Sequence, residues 1–239
     1  MDAYPHSDDS QPQEALAVAA LMLARRFAAG ATMWCVAPRW PTHGRHVAVE
    51  FVHPVIVGKR ALPAMHLEWS GATSALRLLA RPKDVLLVLS AGDEPGVLDL
   101  MRRSNAWGLT RLWIGAGPRP PTDSSEQLIW LEPSGPDTTA CSGDLVMLYH
   151  LLWELTHVAF EHPGLLLPGR CDGEEVCITC SDEGRVAEVT LVHDETRVEV
   201  VAGGRTETID ASLIDSVGPG DLLLVHAGVA LTALAGDMR

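Results

Sequence analysis

The chain has 239 residues, 47% of them hydrophobic, which is enough for one large domain or two small ones with a real core and argues against a disordered chain. Its 31 acidic and 18 basic residues leave a net charge of −13, a field that repels phosphates and argues against nucleic acid or an anionic membrane as partner. From Cys171 to Arg239 there are 14 acidic and 4 basic residues, so ten of those 13 charges lie in the C-terminal part, where they suit a basic protein partner or simply serve solubility.

The opening "MDAYPHSDDSQPQE" lacks the basic-then-apolar order of an export signal, and residues 1–13 are expected to be a disordered leader. No run of about 18 apolar residues occurs, so no membrane span is expected. The five cysteines are accordingly expected in a reducing cytoplasm, without structural disulfides. Residues 12–29 are alanine-rich and predict a helix that stops at Gly30. Short apolar runs follow at 31–37, 62–67, 84–90 and 109–115, and between them lie the helical stretches "HGRHVAVEFVH", "GATSALRLLA" and "EPGVLDLMRRSNAWG". Apolar strands alternating with helices of about 10–15 residues predict an α/β domain with a parallel sheet covered on both faces. After "EQLIWLE" comes a polar loop over 133–142, then a long helix, "GDLVMLYHLLWELTHVAFEH". This first domain is expected over 14–162.

"PGLLLPGRCDGEE" (163–175) reads as a linker. Beyond it the pattern shortens to "RVAEVTLV", "TRVEVVA", "RTETID" and "DLLLVHA", separated by "HDE", "GG" and "GPG" turn signals. About five short strands at 8–12-residue spacing predict a small β-barrel over 176–239.

Two groups of residues carry candidate chemistry. Cys177 and Cys180 form a CxxC inside an acidic run, a spacing used by metal thiolate sites, redox pairs and single working cysteines, and equally found in ordinary loop thiols. No second CxxC completes a zinc ribbon, and a redox pair belongs at a helix N-terminus rather than ahead of a barrel. A thiolate used together with a partner's ligands remains. In the first domain His46 and Glu50 stand i,i+4 on one helix, with His43 and His53 near the same stripe. That is ligand spacing for a borderline metal ion, and it is also the pattern of a polar, solvated helix face. Trp34, Trp113 and Trp153 are expected in the core, and His150 and His162 on the surface or an interface.

The stretch "VCITCSDEGRVAEV", then "VEVVAGGRTETIDASLI", then "VGPGDLLLVHAGVALTAL" resembles the HypC/HupF family of hydrogenase-formation chaperones over about 176–235, most specifically in "GDLLLVHAGVA". The resemblance implies an OB-like barrel that handles the Fe(CN)2CO iron unit of [NiFe]-hydrogenase. Its implied partners are a HypD-type maturation protein and the hydrogenase large-subunit precursor. The family's working cysteine falls on Cys177 and its "VH.G" histidine on His226, with Cys180 as an added thiol. Here Val176 precedes Cys177 in place of an initiator methionine, and "TCSD" stands where the family has "PG".

The succession "FAAGATMWCVA", "HVAVEFVHPVIVGKRALPAMHL" and "DVLLVLSAGDEPGVLDLMRRSNAWGLTRLWIGAG" resembles a SIS domain of the sedoheptulose-7-phosphate isomerase kind, over about 14–162. The resemblance implies acid/base residues at Glu50 and His157, matched through "HVAVEF" and "LTHVAFE". It also implies a zinc or other divalent metal on His46, Glu50 and His157, with Tyr149 where the family has a glutamine, and homodimers or higher oligomers formed through this domain. The loops that would cradle a sugar phosphate read "PRWPTHG" (38–44) and "SAGDEPG" (90–96), with Asp93 and Glu94 at a helix start that favours anions. The expected function is a maturation chaperone, not an enzyme. The alternative is a metal-dependent isomerase or lyase with the barrel as docking module.

Overall fold

The structure, a computed structural model, describes residues 10–120, 126–131, 142–166, 184–226 and 228–234. Cys177, Cys180 and most of the expected linker lie outside the described residues.

Helix α1 (Ser10–Ala28) starts inside the stretch expected to be a leader. It is followed by β1 (Met33–Val36), α2 (Pro41–Val52), β2 (Ala64–Leu67), α3 (Trp69–Leu79), β3 (Val85–Ala91), α4 (Val97–Ala106) and β4 (Thr110–Ala116). Strand β5 (Glu126–Leu131) and helix α5 (Ser142–Glu161) complete the domain. The five strands are all parallel, in the order β2-β1-β3-β4-β5. Every residue of β3 is buried, as a central strand covered on both faces must be. Its side chains alternate between two cores. Leu87 and Leu89 join α1, α2 and α5 on one face, while Leu86 and Val88 join α3 and α4 on the other. Trp34, Trp113 and Trp153 are buried, as expected. No helix among the described residues is long and apolar enough to cross a membrane.

The second domain is a closed barrel in the order β10-β8-β7-β6-β9, built from β6 (Arg185–Val192), β7 (Arg197–Ala202), β8 (Arg205–Asp210), β9 (Leu222–His226) and β10 (Val229–Leu234). Closure comes from one parallel pair, Val229 with Asp210. Ala187, Val189, Val198, Val200, Leu223 and Val225 fill its interior.

The barrel sits on the α3/α4 side of the first domain. Glu188 points outward from β6 and is only 3% exposed. Its carboxylate accepts hydrogen bonds from Arg77 and from the Trp107 indole, and from Arg103 Nη1 at 2.7 Å. Arg103 also donates to Asp99 at 2.7 Å and to the Gly220 carbonyl at 2.7 Å. Beside this network the backbones meet directly: Gly204 N–H donates to the Ala106 carbonyl at 2.9 Å. A Cβ on Gly108 would lie 2.8 Å from the Gly203 carbonyl oxygen, and Gly108 has a φ of +78°, so both space and backbone call for glycine there. The "GG" between β7 and β8 is thus a turn and also a docking point.

Candidate functional site

Helix α2 begins with Pro41 in its first turn, where a missing N–H costs nothing, and buries Val47, Ala48 and Phe51. That register turns His43, His46 and Glu50 toward α5, which lies on the same face of the sheet. His46 Nε2 is 3.1 Å from Glu50 Oε1, and His150 Nε2 is 3.6 Å from the same oxygen. The three ligand atoms lie within 4.8 Å of one another.

His150, expected on the surface or at an interface, therefore stands where the resemblance would put His157. His157 stands seven residues further along α5, about 10 Å down the helix at 1.5 Å per residue. It is buried, its ring tilted 45° against that of Trp153, and its two ring nitrogens face the backbone carbonyls of Trp153 at 2.9 Å and Arg60 at 3.0 Å. It clasps the chain after α2 to α5, with a backbone carbonyl facing each ring nitrogen. The acid/base pair Glu50 and His157 and the metal trio His46, Glu50 and His157 are not brought together. The trio that is brought together is His46, Glu50 and His150.

The cluster fits a borderline divalent cation. With metal–nitrogen bonds of about 2.0–2.1 Å and tetrahedral angles, ligand atoms stand about 3.3 Å apart, close to the observed 3.1 and 3.6 Å. His150 Nδ1 lies 2.7 Å from the Val146 carbonyl, to which it donates, so its Nε2 keeps a lone pair. His46 and His150 are about two-fifths exposed, which leaves the cluster open to solvent on one side. Below it lies Tyr149, fully buried, its hydroxyl 2.8 Å from His46 Nδ1 and 3.4 Å from His43 Nδ1. Burial, with the Glu50 charge adding to it, pushes the phenol up to about 12, so it keeps its proton. His43 is held below the usual imidazole range, first by burial and then by His46.

Other candidates fall differently. Cys35, the one free cysteine among the described residues, is buried in β1, and burial pushes its thiol far up, so it is no ligand. His53 sits at the C-terminal cap of α2, outside the cluster. His226 ends β9, where Val229 pairs with it, and the start of β6 is beside it because Arg185 pairs with Val225.

The crevice at the carboxyl ends of β1 and β3, where the strand order reverses, is where such a sheet takes a ligand. Here it is closed to phosphate. Ser90 is fully buried, accepting from Trp113 Nε1 at 2.9 Å and donating to the Ala91 carbonyl. Arg39 lies 3.0 Å from Glu94 and 3.9 Å from Asp93, so this cation is already countered by two carboxylates. A carboxylate where a helix-end phosphate would dock costs roughly 1 kcal/mol or more. Sedoheptulose 7-phosphate and similar phosphosugars are therefore expected to show no micromolar binding by calorimetry. Tight binding would mean that the loop opens and Arg39 changes partners.

Residues 183–237 match the family model described as HupF/HypC family, a span that contains the whole barrel and His226 and starts after Cys177 and Cys180. No curated protein matches the chain. Among solved structures, a phosphoheptose isomerase from Francisella tularensis is 14% identical, covers 61% of this chain and 86% of its own length, and superposes with a TM-score of 0.53. A sugar-phosphate isomerase structure from Listeria monocytogenes is 17% identical over 63% of this chain and 84% of its own, with a TM-score of 0.40. The chain therefore joins an α/β domain with the fold of the phosphoheptose isomerase structure to a barrel that matches the HupF/HypC family model.

Proposed function

We propose that this chain is a maturation factor for [NiFe]-hydrogenase that holds the Fe(CN)2CO unit with a HypD-type partner and presents it to the large-subunit precursor. The observation that carries this is the family match, which coincides with a closed barrel and includes the histidine at the end of β9. A soft thiolate suits low-spin iron, and Cys177 supplies it just ahead of the strand that starts beside His226. The test is deletion of the gene in its host, with infrared spectra of the purified full-length chain. The expected result is loss of hydrogenase activity, with cyanide and carbonyl stretching bands on the chain. Unimpaired hydrogenase in the deletion strain would overturn the proposal.

A second reading concerns the α/β domain, on the strength of the His46, Glu50 and His150 geometry. We propose that these three hold one borderline divalent cation such as zinc. When bound, the cation would act as a Lewis acid with an open position toward solvent. The residues themselves supply two neutral imidazoles and one carboxylate. The full chain dialysed against zinc is expected to retain one ion, and His150→Ala or Glu50→Ala to retain little, by elemental analysis. If His157→Ala lost the ion and His150→Ala kept it, the observed cluster would not be the site.

A further inference from the structure

A cation on His46, Glu50 and His150 does not by itself account for Tyr149. The ring alone fills the space between α2 and α5, edge-on to His46 at 5.3 Å and 76° and to His43 at 6.0 Å and 68°. A buried hydroxyl is stabilising only where it is hydrogen-bonded, and this one lies between two Nδ1 atoms, at 2.8 and 3.4 Å.

A phenol has one proton to give and lone pairs to accept with, so the bonds along His43, Tyr149 and His46 run in one of two senses. In the first, His43 Nδ1–H donates to the phenol oxygen and the phenol donates to His46 Nδ1. His46 then carries its proton on Nε2 and donates it to Glu50 Oε1, the contact seen at 3.1 Å. In the second, His46 Nδ1–H donates to the phenol, which donates to His43 Nδ1. His46 Nε2 then faces Glu50 and His150 with its lone pair. Only the second sense lets Nε2 hold a cation.

We propose that Tyr149, backed by His43, is a positioning residue that fixes which nitrogen of His46 is offered to a divalent cation. In the second sense it accepts the Nδ1 proton and holds the ligating tautomer, and in the first it donates to Nδ1 and supports the His46–Glu50 contact. Passing from first to second, the Nε2 proton of His46 goes to water and the phenol proton moves to His46 Nδ1. The His43 Nδ1 proton replaces it on the phenol, and His43 takes up one proton from water at Nε2, so the exchange is balanced. A ligating histidine whose second N–H is given a fixed acceptor binds more tightly, because ring orientation and tautomer are set beforehand.

The inference rests on the cation reading above, and the experiment separates the two. Zinc alone is the probe, with the full chain, in competition with a chromophoric chelator. Glu50→Ala must lose the zinc that wild type binds; if it does not, or if wild type binds none, the cation reading itself fails. Given that, Tyr149→Phe, checked by circular dichroism, is expected to bind zinc about 10–100-fold more weakly. Equal affinity would overturn the role of the hydroxyl. Long-range proton–nitrogen spectra of the zinc-loaded wild type supply an independent readout that needs no variant. They are expected to show His46 protonated at Nδ1 and bound through Nε2, and binding through Nδ1 would overturn the proposal.

Discussion

Replacing Glu188 by alanine is expected to release the barrel from the α/β domain and to turn one thermal unfolding transition into two. The carboxylate side chain is 4% exposed and is the common acceptor for Arg77, Arg103 and the Trp107 indole. Removing it leaves Arg103, whose side chain is 16% exposed, with Asp99 and the Gly220 carbonyl but without its charged partner across the interface. Breaking a buried ion pair from one side costs about 3–5 kcal/mol when the remaining charge is left alone. The cost is smaller here, because Arg103 keeps Asp99 and Arg77 is half exposed. Beside the network the backbones meet at Gly108, Gly203 and Gly204, contacts that carry no charge to replace the one removed. Calorimetry of the full chain is the measurement, since coupled domains melt together and uncoupled ones do not. A single transition at the wild-type temperature would show that the network contributes nothing to holding the domains.

Glu188 also shows where sequence reading stops. In "RVAEVTLV" the alternation puts Ala187 and Val189 inside and Glu188 outside, and an outward glutamate on a strand reads as solvated. Its partners are 81 to 111 residues away, so no local pattern announces them. The two domain classes were legible because the period changes from alternating strands and helices to short, turn-bounded strands. The strand Glu126–Leu131 was not singled out as one, since it runs along the edge of the sheet and a polar loop follows it. His46 and Glu50 were legible from i,i+4 spacing on α2. His150 was not, because α5 is apolar around most of its circumference, down to exposed Met147 and Leu151, and carries no polar stripe to choose from. His150 and His157 are two turns apart on one face, so only the position of Arg60 and of α2 along α5 decides which meets Glu50.

Cys177→Ala is expected to abolish hydrogenase maturation, and Cys180→Ala to reduce it only mildly. Both cysteines lie outside the described residues, so the distinction rests on chain order and chemistry. Strand β6 starts at Arg185, whose partner Val225 immediately precedes His226, and eight residues from Cys177 to Arg185 span at most about 28 Å when extended. Cys177 thus has the reach to meet His226 at that end of the barrel, and it holds the place of the working cysteine in the family resemblance. Iron that carries cyanide and carbon monoxide is held by a soft, deprotonated sulfur, and alanine offers no substitute ligand, so the loss should be complete. Complementing a deletion strain with each variant and assaying hydrogenase tests this, with His226→Ala alongside and expected to fall in between. Full activity from Cys177→Ala together with failure of Cys180→Ala would transfer the ligand role to the second thiol. Full activity from both would remove the thiolate from the mechanism.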